Sequence, residues 1–133
     1  MSLEKSHKRS AKPLAMVVED EGLIAYSLED ALQELDFEVA GPFASCADAL
    51  EYLASGALPD IAILDALLRD GTCLDLARVL SFREVPFLIY SGRDAFEEQP
   101  PELDGIPWIE KPQPPEAVAR SAVALLKPGA GPR

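Results

Sequence analysis

The chain is short of the residues that many catalytic machines need. Its only histidine, His7, lies in a polar leader, so a Ser-His-Asp or Cys-His relay has no base in the body of the chain. It has two cysteines, Cys46 and Cys73. They stand far apart and form no CxxC, so they suggest neither a disulfide framework nor a zinc site and read as small buried apolar residues. Basic residues are outnumbered: 12 Lys and Arg against 23 Asp and Glu give a formal net charge of -11. Phosphates repel such a surface, which argues against nucleic acid and anionic membranes as partners. It fits a metal-binding pocket or a basic partner, but most acidic surfaces only keep a protein in solution, and taken alone the charge reads that way first. No apolar run approaches the roughly 18 residues of a membrane span. The first twelve residues have no apolar core of a signal peptide, so a cytoplasmic location is the default expectation.

What is present is enough for one domain and too little for two: 133 residues, 48% hydrophobic and 26% charged. Residues 1–12, with Lys5, Lys8, Arg9 and Lys12, read as a disordered leader; residues 13–127 read as the domain; residues 128–133, rich in Pro and Gly, read as a flexible tail.

The organising stretch is Ile61-Ala62-Ile63-Leu64-Asp65. Four consecutive apolar residues predict a strand buried on both faces, as in parallel sheets. Four more strands are predicted at Leu14 to Val18, Phe37 to Ala40, Pro86 to Tyr90 and Ile106 to Ile109, with Gly41-Pro42 stopping the second. Between them lie helical patterns. Ile24, Leu28, Ala31 and Leu35 share one face. Ser45-Cys46-Ala47-Asp48 resembles a capping box ahead of Leu50 and Leu53, and Gly56 suits the C-terminal cap. Cys73 to Phe82 reads as a helix with Leu76, Ala77 and Leu80 inward, after a loop from Ala66 to Gly71. Pro114 to Leu126 reads as the last helix, with Val118, Ala122, Leu125 and Leu126 on its buried face. The segment from Arg93 to Gly105 holds Pro100-Pro101 and five acidic residues, which disfavours a full helix there. This alternation predicts an α/β fold with a doubly wound parallel sheet, and its ligand belongs at the carboxyl ends of the strands.

Those ends carry Glu19-Asp20, Asp65, Ser91 and Lys111. Three nearby carboxylates repel, on the order of 3 kcal/mol for each charged pair at about 5 Å and an effective dielectric near 20. A proton or a divalent cation relieves this, and hard oxygen ligands suit Mg²⁺. The roles then divide. Asp65 is the nucleophile that accepts a phosphoryl group. Asp20 is a direct Mg²⁺ ligand, Glu19 acts through water or as a second ligand, and the Leu67 carbonyl can add an oxygen. Lys111 pairs with Asp65 and then with a phosphoryl oxygen, and Ser91 donates a hydrogen bond to another. Glu21 reads as a solvated helix start, and Arg93 as an exposed arginine.

With those residues in place, the sequence resembles a response-regulator receiver domain of two-component signalling. Val17-Val18-Glu19-Asp20-Glu21 is similar to that family's acidic motif, Ile63-Leu64-Asp65 to its phosphorylation site, Tyr90-Ser91 to its hydroxyl position and Glu110-Lys111-Pro112 to its lysine-proline motif. The resemblance implies a flavodoxin-like five-stranded parallel sheet of order 2-1-3-4-5. It also implies a cis Lys111–Pro112 bond, and a histidine kinase or histidine phosphotransfer protein as phosphodonor. It implies a switch coupling Ser91 to an aromatic three residues before the lysine, here Trp108. There are departures. Arg69 and Cys73 stand where the family usually has Pro and Gly after the phosphoacceptor, Gln113 stands where Phe is common, and the fourth helix is short or missing. Tyr90-Ser91-Gly92 resembles a subgroup of stand-alone receivers that have Thr-Gly here and a loop in place of that helix.

The expected function is therefore a phosphorelay module whose output runs through protein contacts or onward transfer of phosphate, since no effector domain is expected after residue 127. Two alternatives stand beside it. One is a degenerate receiver that binds partners without phosphorylation. The other is a Mg²⁺-dependent phosphohydrolase, disfavoured because the position two residues after Asp65, where such enzymes place an acid/base, is Leu67.

Overall fold

Side-chain alternation along the first strand decides the layering. In β1 (Leu14–Val18), Met16 and Val18 enter one core, while Ala15 and Val17 enter another on the opposite face. The structure, a computed structural model, describes residues 12–126. Apart from Lys12, the expected leader lies outside the described residues, as does the tail 128–133.

The order is β1, α1 (Gly22–Glu34), β2 (Glu38–Phe43), α2 (Cys46–Ala54), β3 (Ile61–Leu64), α3 (Leu74–Phe82), β4 (Phe87–Ser91), β5 (Trp108–Glu110) and α4 (Pro115–Val123). The five strands form one parallel sheet of order 2-1-3-4-5, the fold expected from the sequence. β3 is central, and its four side chains are sealed on both faces. Full burial of each large aliphatic side chain contributes about 1.5–3 kcal/mol. Leu28 and Leu32 of α1 and Val118 and Ala122 of α4 cover one face; Leu53 of α2 and Leu76 and Leu80 of α3 cover the other.

Several expectations need correction. Leu35 is 38% exposed, and α1 buries Ala25 and Leu32 instead. The three-and-four spacing of Ala25, Leu28 and Leu32 defines the buried stripe better than Leu35, which has passed into the C-cap. The last helix closes at Val123, with Leu125 and Leu126 packing just beyond it. β5 is displaced towards Glu110, and α3 begins one residue late, at Leu74. Gly41-Pro42 does not end β2, which runs on to Phe43 through a register shift against β1. Gly41 has φ +94, and a Cβ there would stand 2.8 Å from the Val17 carbonyl oxygen; only glycine fits. The extension matters for the site, because the Phe43 carbonyl then accepts the Glu19 amide at 2.8 Å.

The expected loop after Asp65 contains a small antiparallel hairpin, Leu67–Leu68 paired with Gly71–Thr72. Between β4 and β5 the described chain has only a 3-10 turn, Pro101–Leu103, as the double proline implied. Leu103 is fully buried against α3 and anchors this segment.

Candidate functional site

Parallel register carries the functional side chains to one rim. Val18 lies opposite Leu64, and Ser91 opposite Glu110. The ladder continues past the strand ends: the Asp65 amide donates to the Val18 carbonyl at 2.9 Å, and the Lys111 amide to the Ser91 carbonyl at 2.9 Å. The residues just after each strand are thereby brought side by side.

Asp65 is the hub, 6% exposed. Its Oδ1 accepts from the Ser91 hydroxyl at 2.6 Å and from the Leu67 amide at 3.2 Å; its Oδ2 lies 2.9 Å from Lys111 Nζ. Lys111 also reaches Glu19 Oε1 at 2.9 Å and Glu21 Oε2 at 3.7 Å. The other Glu19 oxygen accepts the Glu21 amide at 3.1 Å. One oxygen from each of Glu19, Asp20 and Asp65 can lie within 4.8 Å of the others. Asp20 is half-buried, and among the described residues nothing hydrogen-bonds its carboxylate. Two anchored carboxylates and one uncommitted one form an oxygen donor set that fits a hard divalent cation such as Mg²⁺.

The charges are unbalanced around one ammonium. Burial pushes the Glu19 carboxyl up to about 7, and the Asp65 charge adds to the rise against the pull of Lys111 and the Glu21 amide. Burial works against the Lys111 charge, but hydrogen bonds to Asp65 and Glu19 outweigh it and hold its pKa above the ordinary lysine value.

This sets a pH dependence of stability. A carboxyl whose pKa is higher folded than unfolded gives up its proton on unfolding. Stability therefore falls as pH rises from 4.5 to about 7, by up to about 3 kcal/mol. The raised lysine stabilises at all pH values below its unfolded pKa of 10.5, so it adds no slope in this window. Thermal melts in chelator at about pH 5 and about pH 8 read the difference, with the lower Tm at the higher pH. Glu19→Gln should flatten the profile; an unchanged slope would assign it elsewhere.

The structure thus brings together Glu19, Asp20, Asp65, Ser91 and Lys111, all picked out in the sequence. Leu67, expected to lend its carbonyl, turns its amide to Asp65. The Lys111–Pro112 bond is cis, and so is Gly41–Pro42, which nothing in the sequence reading marked. Trp108 is half-buried on β5 and packs edge-on against Phe96, with ring centroids 6.3 Å apart. Arg93 is exposed, as read, with its Nε 3.0 Å from Glu110.

Three contributors escaped the sequence. Glu21 stands within reach of Lys111 as well as opening α1. The Tyr90 hydroxyl accepts the Gln113 amide at 2.9 Å and donates to the Gln113 carbonyl at 3.1 Å, pinning the turn after Lys111; its ring lies 5.6 Å from Lys111 Nζ. The Asp70 carboxylate accepts the Cys46 and Ala47 amides at 2.9 and 3.0 Å. A tyrosine before the hydroxyl position was a usable signal for the second. The other two pairings join residues whose separation carries no pattern.

No family model and no curated protein sequence matches the chain. Solved structures do. The chain is similar to SdrG from Sphingomonas melonis Fr1, with 35% identity and a TM-score of 0.71, over 87% of this chain and 97% of that one. The BeF3-activated conformation of SdrG, from a strain named Pseudomonas melonis Fr1, matches at 35% identity and a TM-score of 0.67, over 89% and 99% of the two chains. The receiver domain of the response regulator PhyR from Erythrobacter litoralis matches at 26% identity and a TM-score of 0.69, over 86% and 88%. A 35%-identical relative matched over nearly its whole length, a receiver sheet order and an acidic rim closed by a lysine lead to one conclusion: the chain belongs to the response-regulator receiver domains.

Proposed function

We propose that the chain is the phosphoacceptor of a two-component phosphorelay, with Asp65 as the residue that takes the phosphoryl group. The observation that carries this reading is the threefold hold on a single carboxylate: Lys111 on one oxygen, Ser91 and the Leu67 amide on the other. Such a hold orients a nucleophile and leaves donors in place for the oxygens of an incoming phosphoryl group.

The donor is a histidine kinase or histidine phosphotransfer protein. An Asp65 oxygen forms the new bond to phosphorus, the bond from phosphorus to the donor nitrogen breaks, and the departing imidazole takes up a proton from solvent. Lys111 then pairs with one phosphoryl oxygen and Ser91 donates to another. Asp20 would bind Mg²⁺ directly and Glu19 directly or through water, and Leu67 could add its carbonyl; the ion would offset charge that develops on the phosphoryl group. Leu67 offers no acid or base two residues after Asp65, so the chain accepts phosphate rather than turning over metabolites.

An apolar groove of about 200 Å³, lined by Leu23, Ile24, Tyr90, Pro112 and Pro115 among others, flanks the lysine loop. Beside it Leu23 is 81% exposed and Tyr26 66% exposed. This surface supports docking of a histidine-bearing partner next to Asp65. The added charge of roughly -1.5 to -2 rearranges the neighbouring loops and changes protein contacts; Ser91 and Trp108 form the switch. Trp108 is the only tryptophan, so its fluorescence reports this step directly.

The test is incubation with Mg²⁺ and a small phosphodonor such as acetyl phosphate, followed by intact mass and peptide mapping. One acid-labile adduct on the peptide containing Asp65, absent in chelator, is expected. No adduct, or one elsewhere, overturns the reading.

A further inference from the structure

The loop after Asp65, residues 66–73, has no proline to stiffen it and carries Gly71 beside its tip. Its hairpin has two residues on each side, far below what is stable alone. Its base is closed by the Cys73 amide, which donates to the Ala66 carbonyl at 2.9 Å beside the buried Cys73 side chain, and Leu68, next to the tip, is buried. Leu67 itself is 46% exposed, so packing does little to fix it, and its amide must still meet Asp65 Oδ1. The tip, Arg69 and Asp70, is exposed.

From that tip the Asp70 carboxylate reaches across to the first turn of α2 and accepts the Cys46 and Ala47 amides, one on each oxygen. The start of α2 is shared between two acceptors: the Ser45 hydroxyl takes the Asp48 amide at 3.1 Å from within the helix, and Asp70 takes the two amides before it from across the gap. The two amides and the positive end of the helix dipole favour the charged carboxylate. Asp70 sits five residues from Asp65 and touches none of the reacting groups.

We infer that Asp70 is a positioning residue: by tying the hairpin tip to the start of α2, it sets where the Leu67 backbone meets Asp65. The consequence for phosphorylation rests on the Asp65 reading above. Without the tether, the hairpin frays and the Leu67 amide spends less time on Oδ1, so Asp65 is less firmly oriented toward the cation site.

Asp70→Ala should label about fivefold more slowly at limiting Mg²⁺ and need more Mg²⁺ for half-maximal rate. In chelator, amide exchange at Leu67 should accelerate, while exchange in the middle of α2 should not. Asp70→Asn, which keeps one acceptor oxygen, should recover part of both losses. Ser45→Ala is the control: it weakens α2 and lowers Tm but should leave labelling and Leu67 exchange as in the wild type. Wild-type labelling rates in Asp70→Ala, or equal slowing in Ser45→Ala, would overturn the inference. A wild-type protein that never labels would sink the phosphoacceptor reading instead, and Leu67 exchange would still decide whether the tether exists.

Discussion

Asp65→Asn should abolish the phosphoryl adduct proposed for Asp65 and leave the fold about as stable as before. The amide oxygen of Asn occupies the place of Oδ1 and can still accept from the Ser91 hydroxyl and the Leu67 amide. The amide nitrogen then takes the place of Oδ2 and faces Lys111 Nζ donor to donor, so the lysine loses that partner and turns to Glu19 Oε1, which it already meets at 2.9 Å. Against that loss, one of three clustered carboxylates disappears, and each charged pair at about 5 Å costs on the order of 3 kcal/mol at an effective dielectric near 20. The terms nearly cancel, so Tm should stay within a few degrees of the wild type, with gain more expected in chelator than in Mg²⁺. Glu19 also loses a neighbour that raises its pKa, so the fall in stability with pH should shrink. Labelling has no such compensation. An amide nitrogen or oxygen is a poor nucleophile towards phosphorus, and the adduct should drop at least about 100-fold, to background, by intact mass. A labelled Asp65→Asn would move the phosphoacceptor to another residue, and a collapsed one would show that the carboxylate is structural.

Most of what positions this site was legible because parallel sheets bury both faces and place function at one end of their strands. The run Ile61 to Leu64 could hardly be anything but a central strand, and once it was placed, Asp65 lay at its carboxyl end. Ser45 was readable as a cap because that signal is local: the hydroxyl and the Asp48 amide are three residues apart. The double proline told correctly against a full helix before β5. The failures share a different cause. Gly41 and Pro42 looked like a terminus because their local preference is to break strands. Here a positive φ next to the Val17 carbonyl lets β2 bulge and continue. Leu35 was set on the buried face by period alone, yet the helix ends before its side chain can turn inward. Asp70 to α2 and Tyr90 to Gln113 are pairings 23 or 24 residues apart. Nothing in composition or period announces them; they follow from where the sheet brings the loops.

Lys111→Ala should be the most damaging single change at the rim, and Mg²⁺ should repair its stability without repairing its function. The lysine side chain is 14% exposed, and Glu19 and Asp65 beside it are 2% and 8% exposed. Removing it strands two buried carboxylates with no cation between them. Breaking a buried ion pair from one side costs about 3–5 kcal/mol, enough for a Tm drop on the order of 10 °C or more in a domain of this size. Relief has two routes. At low pH Glu19, whose carboxyl is already raised to about 7 in the intact protein, takes a proton, so the loss should be smaller near pH 5 than near pH 8. A divalent cation replaces the missing charge, so added Mg²⁺ should raise Tm more in the variant than in the wild type, where the ammonium competes with it. Phosphorylation should have no equivalent rescue, because in the proposed transfer Mg²⁺ cannot stand where Nζ would meet the phosphoryl oxygen. Even at saturating Mg²⁺ the labelling rate should stay about 100-fold low, the scale on which a single well-placed donor to a developing anion acts. Lys111→Arg keeps the charge but not the point geometry, so it should restore Tm fully and labelling only in part. If Lys111→Ala melts like the wild type in chelator, the ion pairs at 2.9 Å do not neutralise the rim; if it labels like the wild type, the ammonium has no part in the transfer.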